Sequence, residues 1–268
     1  VEKLVIIPTF NENENISAII NAVFSLNQGF HILVIDDGSP DGTADTVKNL
    51  IQNLYPNTLY IEERKGKLGL GTAYIHGFKW ALEKGYQFIF EMDADFSHRP
   101  EDLDKLYRAC KYDGADMSVG SRYVKGGEIE NWPLDRRLYS KGGALYTRFI
   151  TWMPVNDPTA GFVCYTNKVL NTINLDEIQF VGYAFQIEMK FATWKLGFKI
   201  KEVPIVFKDR KLGESKMSKS IIKEGVIGVL KIQWHSLFKN YRKRVQSVHA
   251  SSKIVKANSA KEIVSESN

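Results

Sequence analysis

The sequence predicts an α/β fold: a mostly parallel central sheet flanked by helices. Three observations carry that class. Short β-branched runs alternate with segments of helical period, which implies βαβ units. Most of these runs end in a polar, turn-forming stretch, as strands do where they feed a helix. The 268 residues are enough for one large domain with a real core.

The first strand is expected over 3–7, where Leu4, Val5, Ile6 and Ile7 are contiguous. Ile16, Ile19, Ile20, Val23 and Phe24 then follow the i, i+3, i+4, i+7, i+8 rule of an amphipathic helix. A strand at 30–35 and a helix on Ala44, Val47, Leu50, Ile51 and Leu54 come next. Further strands are read at 58–62, 87–92 and 115–120. Leu103, Leu106, Tyr107 and Cys110 form a third helical face, with Pro100 near its first turn. Beyond residue 128 the pattern is less regular. A long loop and helix are expected over 128–152, strands near 161–166 and 199–207, a helix near 183–196, and a last helix over about 218–241. The chain divides into an α/β domain at 1–217, an amphipathic helix at 218–244 and a tail at 245–268. The tail is rich in Ser, Lys, Asn and Glu without period, and is expected to be disordered.

The net charge of +5 suits an anionic ligand or an anionic membrane surface. Nucleic acid is not expected as a partner. It would need a continuous basic face with aromatics, and acids crowd the same sheet edge. Cys110 and Cys164 form no CxxC pair and read as buried thiols of a reducing compartment. No signal-peptide pattern is present, and no run approaches the roughly 18–20 apolar residues of a spanning helix. The longest candidate, GVIGVL (225–230), is flanked by Glu224 and Lys231. A cytoplasmic protein, peripheral on the cytoplasmic face of a membrane, is the expected setting.

In parallel sheets ligands sit at the carboxyl ends of the strands. The stretches there are PTFNENEN (8–15), DDGSPDGT (36–43), DADFSH (93–98) and GSRYVKGG (120–127). Asp93 and Asp95 sit two apart at a strand end, so both can face one cation. Oxygen-only ligands select a hard ion, Mg2+ or Mn2+, of the kind that bridges a diphosphate. The plain alternative is a solvated turn, and only the position after a buried strand raises the metal reading above it. DDGSPDGT is in large part a strand–turn–helix connection, with Asp41 or Thr43 as a cap. Its excess is the doublet Asp36–Asp37, one of which could accept hydrogen bonds from a base or ribose. G-x-G-x-x-G is absent after the first strand, which argues against a dinucleotide enzyme. Glu12 serves equally well as a helix cap or a ligand contact.

Three cationic clusters stand among Gly and Pro loops: Arg122 with Lys125, Arg136 with Arg137 and Ser140, and Arg210 with Lys211 and Lys216. A single Arg is usually solvated surface. Three clusters facing a pair of acids suit phosphate oxygens, which guanidinium forks match bidentately. The last helix carries apolar residues from Ile221 to Tyr241, followed by Lys and Arg. It either packs on the domain or a partner, or lies in a lipid interface with its basic end on anionic headgroups.

PTFNENENI, VIDDGSPDGT, KLGLGTAYIHGF, DADFSHRPEDL, GSRYVKGG, NWPLDRRLYSKGG, DPTAGF, GYAFQIEM and RKLGESKMS occur in that order. Together they resemble family 2 glycosyltransferases of GT-A fold, and more narrowly polyprenol (dolichol) phosphate mannosyltransferases. The resemblance covers about residues 3–235. It implies inverting transfer of mannose from GDP-mannose to a polyprenyl phosphate. By position, Pro8, Phe10, Glu12, Ile35 and Asp37 would line the nucleotide pocket. Asp93, Ala94 and Asp95 would meet the diphosphate and its Mg2+ or Mn2+, with Ser97 where some members supply a third metal ligand. Arg122, Arg210 and Lys216 would hold donor phosphates or sugar, and Arg136 and Ser140 the acceptor phosphate. Asp95, Arg136, Arg210 and Lys216 would carry catalysis. Phe10 stands where members often have Tyr. Some members append transmembrane helices, so membrane contact here would fall to the last helix, the tail or a small membrane partner subunit. A UDP-glucose-dependent polyprenyl-phosphate glucosyltransferase and a non-catalytic sugar-nucleotide-binding subunit are the alternatives.

Overall fold

Alternate residues of the first strand face opposite sides, and both sides are apolar. That is the pattern of a strand covered on two faces. The computed structural model describes residues 2–209, 219–238 and 240–242. Its elements in order are β1 (Lys3–Thr9), α1 (Asn13–Ser25), β2 (Phe30–Asp36), α2 (Thr43–Asn53), β3 (Leu59–Glu63), α3 (Leu70–Glu83), β4 (Phe88–Glu91), α4 (Asp102–Lys111), β5 (Met117–Ser121), β6 (Glu128–Glu130), α5 (Leu134–Thr151), β7 (Val163–Thr166), α6 (Asn167–Thr172), α7 (Tyr183–Lys195), β8 (Ile200–Pro204), β9 (Val206–Lys208) and α8 (Lys219–His235).

Seven strands form one sheet in the order β3-β2-β1-β4-β7-β5-β8, and β6 pairs with β9 in a small second sheet. Only β7 runs against its neighbours in the large sheet. Leu4, Ile6, Leu33, Ile35 and Ile89 point to the face covered by α3, α6, α7 and α8. Val5, Ile7, Ile32, Val34 and Phe90 point to the face covered by α1, α2 and α4. The period of two thus divides the core into two layers.

The structure corrects several expectations. Residues 70–83, not read as a helix, form α3. Its buried Ala73, Tyr74, Gly77, Phe78 and Ala81 do have helical spacing, but Gly71 and Gly77 dilute it. Gly77 is needed for packing: a Cβ there would stand 2.9 Å from two carbons of Ile6. The single strand expected at 199–207 is split between β8 and β9, which belong to different sheets. The last helix ends at His235 rather than near 241, and the chain turns back. Tyr241 is buried and its carbonyl accepts the N–H of Asn174 at 2.9 Å. Val229 and Ile232 of that helix enter the core layer of α7. Arg210, Lys211, Lys216 and the tail 245–268 lie outside the described residues. Cys110 and Cys164 are both buried and unbridged.

Candidate active site

The loops after β1, β2, β4 and β5 share one edge, because these four strands run in the same direction. The reversed strand β7 starts at that edge, so the preceding residues 157–162 join the same cluster.

The first wall is laced by side chains. Thr9 Oγ1 donates to Asp36 Oδ1 at 2.8 Å, and the N–H and hydroxyl of Ser39 donate to the same carboxylate. The N–H of Glu12 reaches Thr43 Oγ1 at 3.1 Å, and that of Asn13 reaches Asp41 Oδ2 at 3.1 Å. Asp41 Oδ1 also takes the N–H of Thr43, the first residue of α2. Burial pushes the Asp41 carboxyl up, but hydrogen bonds from Thr43 and Asn13 outweigh it and leave the group below its usual value. Glu12 closes the start of α1 through its carbonyl and accepts Asn15 Nδ2 at 3.1 Å. Pro8 and Ile35 are register partners across β1 and β2. Ile35 is fully buried in the α3 layer, beneath the edge. Phe10 lies under Lys67, whose Nζ is 4.8 Å from the ring centroid. Asp37 is buried and clasped by Arg64, with Nε 2.7 Å from Oδ1.

The second wall follows β4. Asp93 and Asp95 are half-buried on the edge, while Ala94 and Ser97 are buried below them. Phe96 adopts a left-handed backbone (φ 58°), which folds the loop so that the Ser97 N–H donates to Asp95 Oδ1 at 3.0 Å. Ser97 supports Asp95, and its carbonyl accepts the N–H of Lys208. His98 is buried, stacked on Phe162 at 4.8 Å with its Nδ1 3.4 Å from the Asp93 N–H. Burial holds the imidazole down to about 4, so it is neutral and Nδ1 is an acceptor.

Arg122 was expected on donor phosphates. The structure places it in a buried fork with Asp157, Nε–Oδ2 and Nη2–Oδ1 both 2.7 Å. Asp157 and its neighbour are pinned by Glu202 of β8, whose carboxylate takes the N–H groups of both Asn156 and Asp157. The rings of Tyr123, Trp132 and Phe207 surround the Arg122 guanidinium at 5.2–5.6 Å. Trp132 also carries Arg136, whose Cζ lies 4.0 Å from the ring centroid and whose Nη1 meets Asp209 at 3.0 Å. Ser140, one turn further along α5, accepts the Tyr123 hydroxyl at 2.7 Å. His98, Phe207, Trp132 and Arg136 therefore form a continuous floor from the Asp93–Asp95 loop to α5.

Sequence reasoning missed Asp157, His98 and Arg64 as site supports. Their one-dimensional signal is slight: Asp157 stands in the turn-like stretch DPTAGF with no charged neighbour in sequence, and Arg64 lies in an ordinary charged run. Among the described residues, no cluster of three or more His, Cys, Asp or Glu forms a ready-made cage for an ion. Two edge carboxylates with oxygen-only chemistry still fit Mg2+ or Mn2+, which take one or two carboxylates and complete their shell from substrate phosphates and water.

A sheet edge with paired acids on one side and a guanidinium–hydroxyl helix face on the other is the layout of a nucleotide-sugar transferase. The glycosyl transferase family 2 profile matches residues 4–173, and the chain belongs to that family. It is 45% identical over 226 residues to a polyprenol monophosphomannose synthase of Mycolicibacterium smegmatis, covering 84% of each chain. It is 43% identical to an undecaprenyl-phosphate mannosyltransferase of Micrococcus luteus, covering 87% of this chain and 96% of that one. In fold it is similar to glucosyl-3-phosphoglycerate synthase of Mycobacterium tuberculosis, with a TM-score of 0.66 at 16% identity, covering 87% of this chain and 80% of that one. It is also similar to a mannosyltransferase of Pyrobaculum calidifontis solved with GDP-mannose and Mn2+, with a TM-score of 0.52 at 14% identity, covering 97% and 80%. The expected α/β fold and glycosyltransferase class are both borne out.

Proposed function

We propose that the chain transfers mannose from GDP-mannose to a polyprenyl phosphate, inverting the anomeric carbon and releasing GDP. The carrying observation is the continuous floor from Asp93–Asp95 to Arg136–Ser140, which supports reading a diphosphate site beside a second phosphate site. Relatives at 43–45% identity that bear mannosyltransferase names support the sugar and the lipid. Pro8, Phe10, Glu12 and Asp37 form the nucleotide end of the edge. Asp93 and Asp95 would hold Mg2+ or Mn2+, which neutralises charge on the departing diphosphate when bound. Arg136 and Ser140 orient the acceptor phosphate. A phosphate monoester has a second pKa of about 6 and is already an anionic nucleophile at pH 7. The site therefore needs alignment and charge stabilisation rather than a general base. Arg210 and Lys216 are assigned to the donor by resemblance alone.

A lipid acceptor also asks for a lipid-facing surface. No helix among the described residues is long and apolar enough to cross a membrane. Leu134, Leu138, Leu145, Phe149 and Trp152 of α5 and its cap are all more than half exposed. At 100° per residue they fall within an arc of about 60°, and Arg136 and Ser140 lie on nearly the opposite side. Val226, Ile227, Leu230 and Trp234 extend the apolar surface onto α8, which packs on α5. We assign this surface to the interfacial layer of a membrane, on its cytoplasmic face, with anchoring by a small partner subunit as a second route.

The test is a donor screen with purified protein, vesicles bearing polyprenyl phosphate, and labelled GDP-mannose or UDP-glucose, with and without EDTA. Metal-dependent mannose transfer is expected. Transfer of glucose alone would overturn the donor, and no transfer with either would sink the reading. Replacing Phe149 and Trp152 together by Ser is expected to weaken vesicle sedimentation about tenfold or more while leaving the fold intact. Unchanged sedimentation would reject the α5 surface.

A further inference from the structure

Helix α7 is buried on every side. Ala184, Phe185, Ile187, Met189, Phe191 and Ala192 are all within the core, and so are Gln186, Glu188 and Lys190. Lysine is almost never fully buried without a partner and a reason. A methionine would fill the same space at no electrostatic cost.

Each polar residue of α7 is directed at a different neighbour. Glu188 accepts the N–H groups of Gln179 and Phe180 at 2.8 and 3.1 Å. Gln186 faces Glu91. Lys190 Nζ donates to the carbonyl of Ala160 at 2.6 Å, and to the carbonyl and side-chain oxygens of Gln186. The anions acting on Lys190 are Glu91 of β4, Asp157 and Glu202. Glu91 is fully buried two residues before Asp93. Burial pushes its carboxyl up to about 8, against the attraction of Lys190 and hydrogen bonds from Gln186 and Tyr165.

Ala160 is the middle of the 157–162 loop. Its first residue, Asp157, clasps Arg122. Next to Ala160, a Cβ on Gly161 would stand 3.9 Å from Gln186 Nε2 and 4.0 Å from His98 Cε1. Phe162, the last residue, is the ring on which His98 stacks, and His98 faces the Asp93 N–H. Lys190 thus reaches the acid pair by two routes, one through Ala160, Phe162 and His98 and one through Glu91.

We propose that Lys190 is a positioning residue of the transfer reaction: it locks the 157–162 loop against the Asp93–Asp95 loop and so sets the spacing of the acid pair. It touches no substrate itself. The inference rests on the acid pair binding a divalent cation at the transferase site.

The test compares wild type, K190M and the double variant E91Q/K190M, which removes both ionisable groups. The readouts are circular dichroism, thermal midpoint, Mn2+ affinity in the presence of GDP by electron paramagnetic resonance, and kcat and KM for each substrate. In K190M, Mn2+ affinity and kcat are expected to fall about 10–100-fold, the scale for residues that orient metal ligands, with the acceptor KM changed by less than about twofold. The double variant is expected to recover thermal midpoint but not Mn2+ affinity. Recovery of Mn2+ affinity in the double variant would overturn the proposal, leaving Lys190 as a counter-charge only. So would K190M values within about twofold of wild type, or failure of both variants to fold. If wild type transfers no mannose, the proposed function falls, while the Mn2+ titration, made without sugar donor, still decides Lys190.

Discussion

Two acid doublets sit on the same sheet edge, Asp36–Asp37 after β2 and Asp93–Asp95 after β4, and their surroundings assign them opposite work. Asp36 is buried and accepts from Thr9 and Ser39, and Asp37 is buried against Arg64. Both hold the edge together. Asp93 and Asp95 are half-buried; the Ser97 N–H donates to Asp95, and the buried His98 ring faces the Asp93 N–H. An acid met by a buried guanidinium or by hydroxyls is tied into the fold, whatever ligand it also meets. An acid half-exposed on the sheet edge and oriented by a backbone N–H can turn a carboxylate oxygen to a cation. The difference lies in the neighbours rather than in the doublets.

The sharpest way to break this contrast is D95N. Transfer is expected to fall about 10²–10³-fold, equivalent to about 3–4 kcal/mol of transition-state stabilisation, with the thermal midpoint nearly unchanged. A large loss of midpoint would erase the distinction between the two pairs. R64M should do the reverse, leaving Asp37 buried without its counter-charge at a cost of about 3 kcal/mol. Urea denaturation measures it, and a stability matching wild type would show that Asp37 does not need Arg64. D36A strands the Thr9 hydroxyl and the Ser39 N–H, and should cost about 2 kcal/mol, or about 4–8 °C in midpoint. A midpoint within a degree of wild type would remove Asp36 from the folding side of the comparison.

The smallest effect concerns Asp41, the third acid of the β2 loop. Its carboxyl is held below its usual value, so the folded state binds its proton less readily than the unfolded chain does. Its stabilisation is complete above about pH 4 and is lost as pH falls through the folded value. D41N should therefore flatten the acid limb of stability between pH 5 and about 3, read as denaturation midpoints. An unaltered acid limb would assign that limb to other groups.

The regions differ in how far sequence could reach them. Up to β4 each strand contains a contiguous apolar run, and α1, α2 and α4 show clean amphipathic spacing, so elements and edge loops were legible. Helix α3 was hidden by Gly71, which lets it pack on Phe185, and Gly77, which lets it pack on β1. Beyond residue 128 the structure depends on partners far apart in the chain. Arg122 looked like a phosphate ligand because its anion, Asp157, is 35 residues away. Glu91 and Lys190 meet only because β4 lies against α7, which no local period encodes. The direction of β7 was equally invisible, since an apolar run marks a strand without its polarity.

Helix α5 turns Arg136 and Ser140 inward and its apolar stripe outward; on the proposed reading the acceptor phosphate and the lipid surface would stand about one helix diameter apart, ~10 Å. Only the first few isoprene units of an acceptor would bridge that distance. The remainder of the tail would stay in the bilayer, out of reach of any side chain. An enzyme built on that proposal would read a headgroup and a short stem and be indifferent to how long the polyprenol is. It would accept carriers of many lengths at similar rates, and its pace would follow how densely they crowd the membrane plane rather than how much lipid the suspension contains.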